Sequence, residues 1–408
     1  MVHSRCFNHN NLYRISRTTP HDSEYVQIGD HSDVMAARQT GFAMLAESSV
    51  QEIMDLSAVA HLASFDSSVP FINFFDGFRT SHEIQKVEMI DQDELRPLIP
   101  YDAIKNFRKR AMNPEHPTIS GTNQNSDLYF QQRETINAHY EKVPAIVKKY
   151  MSEINKLRGT DYALVNYYGV KVGFVNIHLY RPFPAEDFVA ALPKTVKSIA
   201  VLDRTKEPGV QGDPLLLDVQ SALFESEYNG EVTVTGGRYG IGSKDFVPNQ
   251  VIAVFNELKK PYTDQKKRFT VGIKDDITGT SLEQLGESLD FTESSTFQGE
   301  FWGFGSDGTV GANKSAIKLI GNHTDKYVQG YFAYDSKKSG GLTVSHLRFG
   351  DKPITSTYLI TASDFTSCST QAYVKQYPVV QGLKKGGVFL LNTVWNDDGL
   401  EERLCPIR

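Results

Sequence analysis

Three places in the sequence combine residue types and spacings that could do chemistry. Gly303-Phe304-Gly305-Ser306-Asp307-Gly308 fits G-x-G-x-x-G between an apolar segment and an amphipathic one. Glycines at that spacing let backbone N–H groups approach a pyrophosphate at a helix N-terminus, and Asp335, at the end of the next strand, could take a ribose hydroxyl. The loop reads as a nucleotide-phosphate site, or else as a tight strand–helix turn that binds nothing. Arg38 stands in Ala36-Ala37-Arg38-Gln39-Thr40-Gly41. Small neighbours there let a ligand come close, and a guanidinium can clamp a carboxylate with two parallel hydrogen bonds. The alternative is an ordinary helix-surface arginine. Asp76-Gly77-Phe78-Arg79-Thr80-Ser81-His82-Glu83 is a polar cluster just past an apolar strand, where α/β proteins place sites. His82 could relay protons, or Thr80 could simply cap a helix.

Two other polar loops have blander readings. Asp203-Arg204-Thr205-Lys206-Glu207-Pro208-Gly209 reads as a charge-paired turn between domains, and Lys337-Lys338-Ser339-Gly340-Gly341 as a solvated turn able to attract phosphate. A Walker loop, HExxH, GxSxG and a Cys/His/Asn constellation are all absent from the sequence.

The elements that must position these residues follow an α/β grammar. Asp33 is placed to cap a helix over Val34–Ala46. Ser49 and Glu52 have capping-box spacing, opening a helix through about Ala63. Val69–Phe75 reads as a buried strand, and Thr80 with Glu83 repeats the box before another helix. Residues 91–143 read as an irregular surface excursion, followed by a helix over Pro144–Leu157. Strands are expected over Val172–Tyr180, Ser198–Asp203, Arg268–Ile273, Phe297–Trp302, Tyr327–Tyr334, Gly341–Phe349 and Gly387–Asn392. Gly236–Gly242 reads as a glycine-dense loop and Ala312–Ile320 as a helix.

Composition narrows the class. The 408 residues suffice for two or three domains, 40% are hydrophobic, and the net charge of −6 comes with both signs mixed. No basic block invites nucleic acid, and no apolar run reaches the roughly 18 residues that span a bilayer. Cys6, Cys368 and Cys405 are far apart and form no CxxC pair. A cluster or zinc site needs about four ligands, so neither is expected here, and the sparse count argues for a reducing compartment. Met1–Thr19 carries Arg5, Arg14 and Arg17 and no acidic residue. That suits a transit peptide or a disordered leader.

Several long strings resemble the pyruvate:ferredoxin (flavodoxin) oxidoreductase family of 2-oxo acid oxidoreductases. Gly29–Asp33 running into Ala36–Phe42, Phe74–Glu83 and Met112–Pro117 are similar to the end of its pyrimidine-binding domain. Leu202–Gly209, Gly237–Gly240 and Asp276–Ser281 are similar to its second domain. Phe301–Lys314, Gly330–Phe332 and Tyr334–Gly341 are similar to the opening of its third.

The resemblance implies a multidomain α/β protein with four segments. Residues 1–28 are non-homologous. Residues 29–157 are the C-terminal part of a thiamine-binding-type pyrimidine domain. Residues 158–290 are a transketolase C-terminal-like domain with an internal gap near 168–170 that leaves a sheet edge exposed. Residues 291–408 open a Rossmann-like domain associated with coenzyme A. It also implies oxidative decarboxylation of pyruvate to acetyl-coenzyme A on thiamine diphosphate, in the cytoplasm or a mitochondrion-related organelle. Electrons would pass through iron–sulfur clusters to ferredoxin or flavodoxin, or to NADP in some eukaryotic relatives, in a homodimeric full enzyme.

The family's 2-oxo acid contact carries over onto Arg38 with Thr40, and its coenzyme A association onto Gly303, Gly305, Gly308, Asn313 and Lys314. No metal ligand is assigned. The cluster-bearing and magnesium-holding domains are not among these strings, so the isolated chain is expected to be inactive unless partner chains supply them. The rival readings are a non-catalytic binding module or the product of a truncated gene, and a stand-alone NAD-dependent enzyme using the Gly303 loop.

Overall fold

The computed structural model describes residues 3–4, 30–77, 79–119, 123–275, 277–284, 286, 289–334, 341–396 and 398–400. Residues 5–28 of the expected leader, Cys6 among them, Phe78, Asp276, Asp335, residues 337–340 of the expected solvated turn and Cys405 lie outside them. The chain forms two units. One comprises residues 1–77, 88–242 and 257–281, and the other residues 78–87, 243–256 and 282–408.

Among the described residues, the first unit holds a four-stranded sheet, a three-stranded sheet and a hairpin. Ala43–Glu47 pairs in parallel with Phe71–Phe75 and antiparallel with Leu179–Arg181. Ser198–Asp203, Thr233–Arg238 and Arg268–Thr270 run parallel to one another. Val165–Gly169 and Gly173–Ile177 form the hairpin. The helices Val50–Ser67 and Val143–Arg158 bury Leu56, Val59, Ala60 and Ala63 with Val147, Tyr150, Met151 and Ile154 in one apolar cluster. Each fully buried large side chain of this kind contributes roughly 1.5–3 kcal/mol.

Several sequence expectations are corrected here. Val34–Ala46 is not one helix. It is a short helix Ser32–Ala36, a 3-10 turn Ala37–Gln39 and the strand Ala43–Glu47. Gly41 breaks it at φ +89°, and an all-apolar run such as Phe42–Ala46 has no period to separate buried strand from buried helix. Ser49 does cap the next helix, accepting from Glu52 N–H, and the helix runs to Ser67. The Glu52 carboxylate, however, accepts from the Ser48 N–H and hydroxyl, so the box closes one residue early. The 91–143 excursion is largely helical, with Gln92–Leu95, Tyr101–Lys109, Ser126–Glu134 and Asn137–Tyr140 lying mostly on the surface. Asp91 and Glu94 supply a complete capping box there. Val172–Tyr180 is two strands in different sheets. Gly236 and Gly237 lie in a strand, where a side chain would overlap Leu216 and Phe269 respectively.

Among the described residues, the second unit is built on a six-stranded mixed sheet in the order Leu383–Leu391, Ser363–Cys368, Phe297–Phe304, Leu342–Gly350, Tyr327–Tyr334 and Glu83–Gln85. The Thr80–Glu83 box therefore opens no helix. Thr80–His82 is a 3-10 turn, and Glu83–Gln85 joins the edge of this sheet, because pairing with Gln329–Tyr331 overrides the local cap signal. The helix Thr309–His323 covers one face, packing Ile317 on Val328, Phe332 and Leu347. The other face is polar around Gln298, Glu300, Gln329, His346 and Arg348, which are buried, and apolar where Trp302 packs on Cys368, Tyr373 and Val379. No helix among the described residues is long and apolar enough to cross a membrane.

Candidate functional site

Arg38 lies on the 3-10 turn between the first helix and the strand Ala43–Glu47. Gly41 lets the chain turn back at once. A Cβ there would come within 2.8 Å of the Tyr140 hydroxyl, which donates to the Gly41 carbonyl at 2.6 Å. Arg38 is half-buried rather than an open surface arginine. Its Nη1 donates to Met35 O at 3.0 Å and its Nη2 to Glu207 Oε2 at 2.8 Å. Thr40 is exposed, and its hydroxyl donates to Ala37 O at 2.6 Å.

Two polar loops flank this turn, each at the carboxyl end of a parallel strand, where α/β sheets place their sites. Asp76 follows Phe71–Phe75 and pairs with Arg204 Nη1 at 2.7 Å, while the Arg204 carbonyl accepts from His31 N–H at 2.9 Å. The Asp203–Gly209 loop is thus not paired only within itself. Arg204 is 8% exposed. Burial, then the Arg204 charge, push the His31 pKa down to about 4, so its ring is neutral near pH 7. Asp203 ends its strand and accepts from Leu215 and Leu216 N–H at 3.0 and 3.1 Å, capping the helix Pro214–Phe224. Burial nonetheless pushes its pKa up to about 6. Asp213, 4% exposed, takes Glu207 N–H at 3.2 Å on one oxygen and Arg238 Nε at 2.7 Å on the other. The sequence placed Glu207 only in a charge-paired turn and gave Asp213 and Arg238 no role at this site, because side chains 169 residues apart, as Arg38 and Glu207 are, leave no local pattern.

The Gly303–Gly308 loop does join strand to helix, but its groups are largely spoken for. Gly303 belongs to the strand, and a Cβ on it would meet Thr309 and Thr343 at 2.7–2.8 Å, so packing requires the glycine. Gly305 N–H donates to Gly341 O at 2.8 Å. The Asp307 carboxylate accepts from Phe304 N, Thr309 N and Ser369 Oγ at 2.7–2.8 Å, which hold its pKa low against a cost of burial. A protein anion already sits at this helix N-terminus, so a phosphate there does not fit the loop as it stands. Gly308 is the helix N-cap at φ +89°, open among the described residues. Asn313 is buried, and Lys314 leans over the Phe332 ring at 5.2 Å.

The polar face of the six-stranded sheet was also missed, although its alternation is visible in Gln298/Glu300, Gln329/Tyr331 and His346/Arg348. Arg348, 2% exposed, donates to Gln298, Gln329 and the Tyr358 carbonyl at 2.8–2.9 Å. Glu300 lies 3.5 Å from His346 Nδ1. No group of three or more His, Cys, Asp or Glu among the described residues could hold a metal ion.

Comparison with known proteins gives the family. Residues 15–152 match the thiamine diphosphate-binding model of pyruvate flavodoxin/ferredoxin oxidoreductase. Residues 160–251 match core domain II of pyruvate:ferredoxin oxidoreductase, and residues 300–406 a further pyruvate ferredoxin/flavodoxin oxidoreductase model. The chain is 52% identical to the pyruvate-flavodoxin oxidoreductase of Klebsiella pneumoniae over 92% of its own length and 34% of that protein. It is 51% identical to the pyruvate:ferredoxin oxidoreductase of Moorella thermoacetica, with the same coverage of each. It is 46% identical to the pyruvate dehydrogenase [NADP(+)] of Cryptosporidium parvum over 90% of this chain and 20% of that one. The chain thus spans about a third of the length of the first two relatives. It belongs to the pyruvate:ferredoxin/flavodoxin oxidoreductase family.

Proposed function

We propose that the chain is the 2-oxo acid-contacting part of an enzyme that oxidatively decarboxylates pyruvate to acetyl-coenzyme A, with ferredoxin or flavodoxin as electron acceptor. Its 51–52% identity, over 92% of its length, to relatives named for that activity carries the proposal. Thiamine diphosphate, when bound, supplies the electron sink for decarboxylation. This chain's residues hold the substrate. The Arg38 guanidinium, fixed from behind by Met35 O, offers a charge-assisted contact to the carboxylate that is to be lost. Thr40, on the same turn, is assigned to the substrate with it. Gly303, Gly305, Gly308, Asn313 and Lys314 are assigned to coenzyme A on family membership, with the condition that Asp307 gives up the helix N-terminus. The segment boundaries 28/29, 157/158 and 290/291 are kept as the proposed domain limits. A second reading, with NADP as acceptor, is supported by the Cryptosporidium relative's name.

Pyruvate binding to the chain, followed by calorimetry, tests the role of Arg38. Hydrogen bonds to a charged group are worth about 1.5–3 kcal/mol, so Arg38→Ala should weaken binding about 10- to 100-fold. Arg38→Lys should recover only part of that, because an ammonium cannot make the two-pronged contact. An unchanged affinity in Arg38→Ala would overturn the assignment.

A further inference from the structure

We propose that Glu207 is a specificity-determining residue of the 2-oxo acid site, an internal carboxylate that occupies the Arg38 guanidinium and is displaced from it by the carboxylate of the substrate. The inference rests on the assignment of Arg38 to the 2-oxo acid. Glu207 Oε2 lies 2.8 Å from Arg38 Nη2, while Nη1 is held by Met35 O. The group on the arginine is therefore chemically the same as the group a 2-oxo acid brings to it. Glu207 is held there by its backbone, because its N–H donates to the buried Asp213, which Arg238 fixes from the other side. The side chain itself is less confined. The pair is 21% and 32% exposed, so Glu207 can turn towards water about its own side-chain bonds without moving the loop.

Two carboxylates on one guanidinium repel each other, and the exchange succeeds only for a ligand that brings a negative charge of its own. Glu207 thereby weakens binding of every ligand and sets a threshold that uncharged carbonyl compounds fail to reach.

The test is a double-mutant cycle in pyruvate affinity, measured by calorimetry on the full chain. Glu207→Gln keeps the shape and removes the charge, and should tighten pyruvate binding about tenfold, a 1.4 kcal/mol change. Glu207→Asp, one methylene too short to reach Nη2, should do the same provided its melting curve matches the wild type. In an Arg38→Ala background, Glu207→Gln should change nothing. If Glu207→Gln binds pyruvate no tighter while Arg38→Ala loses it, the Glu207 proposal falls and the Arg38 assignment stands. If Arg38→Ala binds as well as wild type, or neither wild type nor Glu207→Gln binds pyruvate, both fall.

Discussion

Replacing Glu300 by glutamine should make the protein more stable in alkaline solution and leave it nearly unchanged in mild acid. Glu300 is 7% exposed on the polar face of the six-stranded sheet. Burial raises its pKa from 4.5 to about 7, with partial relief from Arg348. Its neighbour His346 gives no compensating positive charge. Ile360 N–H donates to His346 Nδ1 at 3.3 Å, so that nitrogen bears no proton. Burial, then Arg348 and Arg79, push the imidazole pKa down to about 3. Because the His346 ring carries no charge near pH 7, the 3.5 Å approach of the two side chains is not an ion pair.

Because the folded pKa is the higher one, the native state keeps a proton that the unfolded chain has released. Stability is therefore lost as pH rises from about 4.5 through about 7. A shift of about 2.5 units at about 1.4 kcal/mol each corresponds to about 3 kcal/mol above pH 8, and to less than about 1 kcal/mol at pH 5. Glutamine does not titrate and fills the same space. Urea unfolding followed by the fluorescence of Trp302, a residue of the same sheet, should show Glu300→Gln gaining about 3 kcal/mol on wild type at pH 8.5 and under about 1 kcal/mol at pH 5. An equal difference at both pH values, or a variant less stable at pH 8.5, would refute the reasoning.

Three further outcomes follow from the same structure. Gly308→Ala, at φ +89° with open space around it, should cost about 1–2 kcal/mol of stability. Gly303→Ala should cost more, because its Cβ meets Thr309 and Thr343, and thermal unfolding giving the reverse order would contradict this packing. Asp307→Asn removes the anion at the helix N-terminus and should tighten coenzyme A binding several-fold by calorimetry. Gly305→Val should abolish that binding, and NAD binding more tightly than coenzyme A would remove the assignment of this loop. With three dispersed cysteines, the purified 408-residue polypeptide should show no stoichiometric iron–sulfur absorption, and a full cluster per chain would prove otherwise.

Legibility in the sequence depended on how local the determining forces are. Ser198–Asp203 and Tyr327–Tyr334 have the bounds their apolar patterns suggest. Val143–Arg158 lies within a residue at each end of the expected helix, having Pro144 at its start and Gly159 in the left-handed conformation at its end. Glu83–Gln85 was illegible because a neighbouring strand far along the chain decides it. Gly236 and Gly237 suggested a loop by composition, whereas they are glycines because Leu216 and Phe269 press on that strand. At the candidate site the sequence pointed to Arg38 and to the polar loops after two strands. It could not show that Glu207 sits on Arg38 or that Asp213 anchors Glu207. Nor could it show that the G-x-G-x-x-G spacing carries its own carboxylate in Asp307.

The buried polar face of the six-stranded sheet also bears on how the chain finds its pairing. In Leu342–Gly350 the odd positions Leu347 and Phe349 face the helix Thr309–His323, while His346 and Arg348 face the hydrogen-bonded layer. A slip of one residue against either neighbour would thrust Arg348 beneath Ile317 and set Leu347 against the amides of Gln298 and Gln329. Each buried polar group deprived of its partner costs on the order of 1–3 kcal/mol, and more for a guanidinium. An all-apolar sheet would accept such a slip at little cost. The layer that makes this unit sensitive to alkali is thus also what makes its misaligned folds untenable.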